Sequence, residues 1–277
     1  MTEPERDREA LEWQTGIWNR ISDIYFREID QRFAPVVEAV IRRANLAAGE
    51  SVLDLGAGTG AMAERAAAVV GPGGQVVGVD LSPDMLALAQ KRTAASGLTN
   101  VTMRQGRGES IPVDDHTFDV VLTSLTLMYV IDRAAAAREI ARVLRPGGRF
   151  IAAVWGAPSD CDIVLFQQTA GRFAGSPPVP GVGPGALADP APFLQQLAGA
   201  GIEALVETET LGFDFPDFLS AWDVLAGVTT AHLAPEQQRQ AQQAVLDLMY
   251  PDGDGPRQFR NLTQFITGNK SPLRPPL

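Results

Sequence analysis

From Leu11 to Leu46 apolar and aromatic residues return at helical intervals, at Trp18, Ile21, Tyr25, Ile29, Phe33, Val37 and Val40, which predicts a helical lead-in over residues 1–46. The period then changes. Short β-branched runs at 51–55, 75–80, 100–105, 118–123 and 149–155 alternate with Ala-rich stretches at about 60–70, 83–96 and 132–144. Strands that alternate with helices imply an α/β unit, a mostly parallel sheet wrapped on both faces, here over residues 47–156. The connection "GRGESIPVDDHT" between the third and fourth strands is too short for much helix and reads as a loop. Past Trp155 a helix is expected near 160–173, and "GSPPVPGVGPG" reads as part of a lid or linker over 157–190. The alternation resumes over 191–270 with a helix at 190–200, a strand at 203–213, helices between Pro216 and Met249, and a last strand near 258–267. The helices at 216–250, lying between the final two strands, are expected to form a cap beside the sheet. The charged residues 1–10 are expected to fray, and the Pro-rich residues 271–277 to form a disordered tail.

Composition narrows the partners. The 277 residues are 45% apolar, enough for a real core, and carry a formal charge of -10, which disfavours nucleic acid and anionic membranes and favours a small-molecule substrate. Residues 1–30 show no signal-peptide pattern and no apolar run reaches the ~18 residues of a membrane span, so a cytoplasmic protein is expected. Cys161 has no partner for an internal disulfide, and His116 and His232 are the two histidines, so no metal site is expected. Oligomeric state stays open, a homodimer included.

The candidate chemistry starts at "VLDLGAGTGA", residues 52–61. Gly56, Gly58 and Ala61 satisfy a dinucleotide fingerprint, whereas Gly56, Gly58 and Gly60 satisfy a turn used for S-adenosylmethionine. In an open parallel sheet ligands sit at the carboxyl ends of strands, which gathers Asp54, Asp80, "QGRGE" at 105–109 and "TSLTLMY" at 123–129. Asp80, twenty residues past Gly60, suits the hydroxyls of an adenosine ribose under either reading. Asp54 separates the readings, because a carboxylate two residues before the first glycine opposes a pyrophosphate and attracts an ammonium group. A nicotinamide-dependent oxidoreductase is thereby disfavoured.

The segments "VLDLGAGTG", "VVGVDLSPDMLALAQKR", "IPVDDHTFDVVLTS" and "EIARVLRPGGRFIAAVWG" resemble, in order, the successive motifs of class I S-adenosylmethionine-dependent methyltransferases. Within them the chain is most similar to the ubiquinone- and menaquinone-biosynthesis-type, or type 11-like, branch. The resemblance implies a Rossmann-like, doubly wound, mostly parallel seven-stranded sheet with the last strand antiparallel, plus N-terminal helices and a helical cap. It implies S-adenosyl-L-methionine as cofactor, S-adenosyl-L-homocysteine as product, and methyl transfer to O, C or N of a small, aromatic or natural-product-like acceptor by in-line displacement. Gly56, Ala57, Gly58, Thr59 and Gly60 would line the methionine part, Asp54 would help hold its amino group, and Asp80 would take the ribose. Leu81 and Met85 would pack near the adenine, and Thr123 and Ser124 would lie beside the methionine and the substrate entrance. Where relatives read Gly-Asp after the third strand, this chain reads Gly106-Arg107, and arginine cannot accept the adenine hydrogen bond; a backbone carbonyl in Gly106–Gly108 or Glu109 would have to substitute. A related fold without methyl transfer, a cyclase, isomerase or binding module on a biosynthetic intermediate, is the alternative function.

Several residues have plainer readings. "RPGG" at 145–148 reads as a turn launching the fifth strand, His116 as a turn residue at the amino edge, and Cys161 as packing. Trp18, Tyr25 and Tyr129 either staple helices to the sheet or form an aromatic lid beside a sulfonium, whose charge an aromatic face attracts. No catalytic base stands out, and the candidates are Tyr25, His232 and Asp160.

Overall fold

Seven strands form one sheet in the order β3-β2-β1-β4-β5-β7-β6 in the computed structural model, which describes residues 3–174 and 181–272. The strands are β1 (Ser51–Leu55), β2 (Gln75–Asp80), β3 (Val101–Gln105), β4 (Phe118–Ser124), β5 (Leu144–Trp155), β6 (Ile202–Phe215) and β7 (Arg257–Lys270). β1 to β5 pair in parallel, and β7 runs antiparallel between β5 and β6, as the resemblance implies. All of β1 is buried, which is what helices on both faces demand of a central strand and why, after Ser51, it reads as an apolar run broken by Asp54.

The lead-in is α1 (Glu3–Ile24), a π turn (Tyr25–Ile29) and α2 (Asp30–Ala44). From Glu3 onward the charged N-terminal residues are helical, so fraying through residue 10 is not what the structure shows. α3 (Ala61–Val70), α4 (Pro83–Ala95) and α5 (Arg133–Val143) connect the parallel strands. α4 starts where Ser82 accepts a hydrogen bond from the Met85 N–H at 3.1 Å and Pro83 supplies a preset φ; α5 starts where Asp132 accepts from Ala135 at 2.9 Å.

The expected turn at "RPGG" lies inside β5. Phe118 faces Leu144 but Val120 already faces Arg149, so the extra residues bulge out of the ladder, with Gly147 at φ +78. Beyond Trp155 come α6 (Asp162–Gly171) and α7 (Ala191–Gly199). Residues 175–180 of the expected lid and 273–277 of the expected tail lie outside the described residues. What is described of the linker is tied down: the Gly183 N–H donates to the Met128 carbonyl at 2.9 Å, and Gln264 donates to the Leu187 carbonyl at 2.9 Å.

β6 and β7 are longer than their hydrophobic pattern predicts. Their ladder continues from Thr210–Leu262 to Phe215–Arg257, past the end of β5 at Trp155, which pairs with Thr263. This hairpin carries the cap, α8 (Phe218–Leu225), α9 (Gly227–Thr230) and α10 (Pro235–Met249), over the carboxyl edge of the sheet. Phe33 of α2 packs on Trp155 at 5.5 Å and on Phe213 at 5.7 Å, so lead-in, sheet and hairpin share one aromatic core. Cys161, buried and with its thiol pushed up to about 12 by burial, packs against Asn261, whose side-chain oxygen accepts from the Ile163 N–H at 2.9 Å.

Candidate cofactor and acceptor site

The strand order reverses between β1 and β4, and the crevice outside their carboxyl ends is where a doubly wound sheet admits ligands. A cavity occupies it, walled by Gly56, Gly58, Asp80, Leu81, Met85, Gly106, Arg107, Gly108, Glu109 and Ser124 from four strand ends. Trp18, Tyr25 and Tyr129 close it from the lead-in helices and the segment after β4.

Two glycines explain the shape of the floor. Gly56 has φ +75, and a Cβ there would lie 2.1 Å from the Thr126 hydroxyl; Gly58 has φ +52 and would meet no protein atom within 4 Å. The first glycine is required by the fold, while the second keeps open the space in front of the loop. Asp80 organises that loop: its carboxylate accepts from the Gly58 N–H at 2.8 Å and from the Ser82 N–H at 2.9 Å. Burial raises its pKa, while those donated bonds oppose the rise. Each oxygen keeps lone-pair capacity for a ligand hydroxyl.

Asp54 is different. It is fully buried and neither carboxylate oxygen has a partner at normal hydrogen-bond geometry; burial, with the nearby Asp80 charge adding to it, pushes its pKa up to about 8 against the opposing pull of the Ala63 backbone N–H. A buried carboxyl so weakly satisfied is costly, and a cation brought close is the chemical remedy. It lies behind the wall formed by Leu55 and Gly56 rather than in it.

Ala57, Thr59, Gly60 and Thr123 are also absent from the cavity wall. Ala57 packs against Gly78, Gly60 against Ala89 and Met103, and Thr59 donates to Asp30 at 2.6 Å. Thr123 is buried with its hydroxyl unpartnered. Glu109, the expected substitute at the adenine end, lines the cavity but already accepts from the Ile131 and Asp132 N–H groups at 3.0 and 3.2 Å.

Trp18 and Tyr129 meet edge to face at 4.9 Å and 89°. Both also line a second, outer cavity of about 550 Å³, walled mostly by apolar groups including Trp13, Ile17, Val182, Pro184 and Val228. The aromatic pair therefore borders both spaces, and a smaller apolar space beside Tyr25, Phe33, Leu125 and Trp155 adjoins them. Of the base candidates, His232 is exposed on the outer cavity, with that pair between it and the glycine loop. Asp160 is exposed, accepts from Ser159, and lines none of the cavities around the aromatic pair; its place after β5 turns it to solvent. Tyr25 faces the cavity, but burial, then Asp30, Tyr129 and Asp80, hold its hydroxyl well above its usual pKa, so it keeps its proton at neutral pH. His116 sits at the amino edge with φ +51, beside the Leu144 carbonyl at 3.0 Å.

Val79, Leu125 and Thr126 also line the wall, the last two from the gathered stretch after β4, and Leu11, Gln14 and Val130 join it from outside any motif. Leu125 adopts φ +57, an unusual conformation for a branched side chain, directly after β4. Gln14 reaches the site by donating to the Tyr129 carbonyl at 2.7 Å. Among the described residues no cluster of three or more His, Cys, Asp or Glu could hold a metal ion, and no helix is long and apolar enough to cross a membrane.

Residues 46–165 match the family model described as a methyltransferase domain. The chain is 34% identical over 128 residues to demethylmenaquinone methyltransferase of Shouchella clausii, covering 46% of this chain and 53% of that protein. It is 35% identical over 133 residues to nocamycin O-methyltransferase of Saccharothrix syringae, covering 48% of each. The chain thus spans about half the length of the curated relatives it matches. The YcgJ protein from Bacillus subtilis shares the fold, with a TM-score of 0.62 over 85% of this chain and 97% of that one at 23% identity.

Proposed function

We propose, for a chain whose residues 46–165 match the methyltransferase-domain model, that the whole protein transfers a methyl group from S-adenosylmethionine to a small, largely apolar acceptor. The observation that carries this reading is the pairing of an open glycine loop with a buried carboxyl whose oxygens have no partner at normal hydrogen-bond geometry. Gly58 leaves room for a ligand against its backbone, and Asp54 behind that loop is poised to gain from an ammonium group and to oppose a diphosphate.

S-adenosylmethionine would supply a methyl group already activated on a sulfonium. Asp80 would bind the ribose hydroxyls while holding the loop through Gly58. Leu81 and Met85 would offer apolar surface to the adenine, whose edge would be met by the backbone of Gly106–Gly108 or by Glu109, which accepts from Ile131 and Asp132 on one oxygen and keeps the other, since Arg107 cannot accept. Trp18, Tyr25 and Tyr129 would exclude water and present ring faces to the sulfonium. Alignment in such a dry site is worth about 7–11 kcal/mol, which is why the absence of an evident base does not count against the reading.

The acceptor would enter from the outer cavity and reach the methyl group through the apolar space beside Tyr25, Phe33, Leu125 and Trp155, which adjoins both cavities, because in-line transfer needs its nucleophile within about 3–3.5 Å of the methyl carbon. The apolar walls of the outer cavity favour an aromatic or hydrocarbon-rich molecule. The names of the two relatives, one a demethylmenaquinone and one a nocamycin methyltransferase, fit that class without fixing a molecule.

Calorimetry with S-adenosylhomocysteine and NADH tests the cofactor: binding of the first and not the second is expected, and the reverse would sink the proposal. Release of S-adenosylhomocysteine during turnover of aromatic acceptors then tests transfer. Tight cofactor binding with no such release across a broad acceptor panel would favour the non-methylating cyclase, isomerase or binding role instead.

A further inference from the structure

We propose that Asp30 is a positioning residue that locks the lead-in helices to the glycine loop, so that the aromatic lid and the cofactor floor adopt one joint conformation. The inference rests on the cofactor reading above and concerns residues that reading leaves idle.

Tyr25 and Asp30 are the two ends of the π turn, since the Asp30 N–H donates to the Tyr25 carbonyl. An uninterrupted α-helix would rotate these two residues differently, and π turns inside helices recur where a side chain has to be re-aimed. Here one turn delivers Tyr25 to the cavity and Asp30 to the loop. The Asp30 carboxylate accepts from the Thr59 hydroxyl at 2.6 Å, and the same oxygen is ion-paired with Arg92 of α4. Arg92 also lies 3.5 Å from Glu64 of α3 and 4.8 Å above the Phe26 ring, itself within the π turn. Asp30 is 9% exposed and Arg92 16%, so water screens the pair weakly.

Thr59 joins the lead-in to the cofactor floor. It is 1% exposed and follows Gly58, whose N–H donates to Asp80 and whose open side faces the cavity. None of Asp30, Thr59 and Arg92 lines the cavity, so none acts by touching a ligand there. What they do is hold Thr59, and with it the backbone between Gly58 and Gly60, against the segment that bears Tyr25. Two other ties from the lead-in around the cavity, Gln14 to the Tyr129 carbonyl and Ser82 to Asn19, are neutral hydrogen bonds, and other charged pairs of α2, Glu38 with Arg65 and Arg42 and Arg43 with Glu209, reach α3 and β6 rather than the loop. The Asp30 tie is the charged one that reaches the glycine loop itself, and charge-assisted bonds are about twice as strong.

The test uses the full chain and S-adenosylhomocysteine as probe. Thr59→Val removes the hydroxyl donor at near-constant volume; Asp30→Asn removes the charge. Each is expected to weaken binding at least fivefold in calorimetry, with Thr59→Ser restoring it to within twofold. In the parent, binding is expected to slow hydrogen exchange across residues 25–44, and in Thr59→Val that protection is expected to fall. The double variant should bind no more weakly than the worse single one. If Thr59→Val is folded and binds as tightly as the parent, with the same protection of residues 25–44, Asp30 is a structural ion pair and the inference fails, whatever the change in melting temperature. Failure of the parent itself to bind S-adenosylhomocysteine would instead overturn the cofactor reading, and this inference with it.

Discussion

The two edges of the sheet carry carboxylates in opposite circumstances. At the amino edge, Glu139 is held below its usual pKa chiefly by hydrogen bonding to Arg142, at 2.7 Å. Asp119 is also lowered: burial raises it, but the Ser51 N–H at 2.9 Å and Arg145 prevail. Arg149 pairs with Glu50 at 2.9 Å. At the carboxyl edge, Asp54 and Asp80 are both raised by burial, and neither is ion-paired among the described residues. The amino edge uses its charges to hold the fold together. The carboxyl edge leaves a buried acid weakly satisfied, the usual mark of a site awaiting a ligand.

Substitutions should break this contrast in graded steps. Gly56→Ala is expected to be the most damaging, by about 3 kcal/mol or more, because a positive φ and a 2.1 Å clash with Thr126 coincide. Thermal melting measures it, and a melting temperature within a degree or two of the parent would show that the loop is not built as described. Asp54→Asn comes next, weakening S-adenosylhomocysteine by about ten- to a hundredfold, or about 1.5–3 kcal/mol, as expected for loss of a charged partner. Unchanged affinity would mean that Asp54 does not serve the ammonium group.

The same residue should set the slope of stability against pH in the ligand-free protein. Its folded pKa, about 8, is raised above an unfolded value near 4, so its contribution is fully present below pH ~4 and is lost as pH rises towards 8. Asp119 and Glu139 are lowered, so their contribution is present above pH ~4 and is lost as pH falls through their folded values. Melting temperatures from pH 3 to 9 should therefore lose their alkaline-side fall in Asp54→Asn and keep it in Asp119→Asn.

Gly58 and Gly147 make the finest comparison of backbone. Both have positive φ, and a methyl group added at either would meet nothing within 4 Å, one at the cavity and one in the β5 bulge. Alanine at either should cost about 1–2 kcal/mol of stability, but only Gly58→Ala should also weaken the cofactor. Equal binding by the two variants would argue against a ligand on that loop. Arg145→Ala should do least: the pair with Asp119 is at the surface, with the arginine 45% exposed, so about 0–1 kcal/mol of stability and no cofactor affinity should be lost.

Much of the site was legible because parallel strands all end at one edge. Once β1 to β4 are recognised, Gly56, Asp80, Gly106 and Ser124 must converge, although tens of residues separate them in the chain. What sequence reasoning missed has no such periodic signature. Leu11 and Val130 lie outside every segment gathered at the strand ends, and Gln14 enters the wall through a hydrogen bond to a carbonyl 115 residues away; Leu125 and Thr126 belong to the gathered stretch after β4, and their non-repeating backbone conformation was what the sequence did not show. Asp160 was a base candidate as a carboxylate of the cap, yet the chain turns it to solvent.

By itself the sequence determined the alternation of strands and helices and the edge at which Gly56, Asp80, Gly106 and Ser124 gather, because these follow from local periodicity and from the parallel direction of the strands. Tertiary structure decided which of those residues face the cavity, that Asp54 lies behind its wall without a partner at normal hydrogen-bond geometry, and that the lead-in makes a π turn. A single inserted residue barely disturbs an apolar repeat, and the protonation of a carboxyl depends on neighbours that only packing brings near.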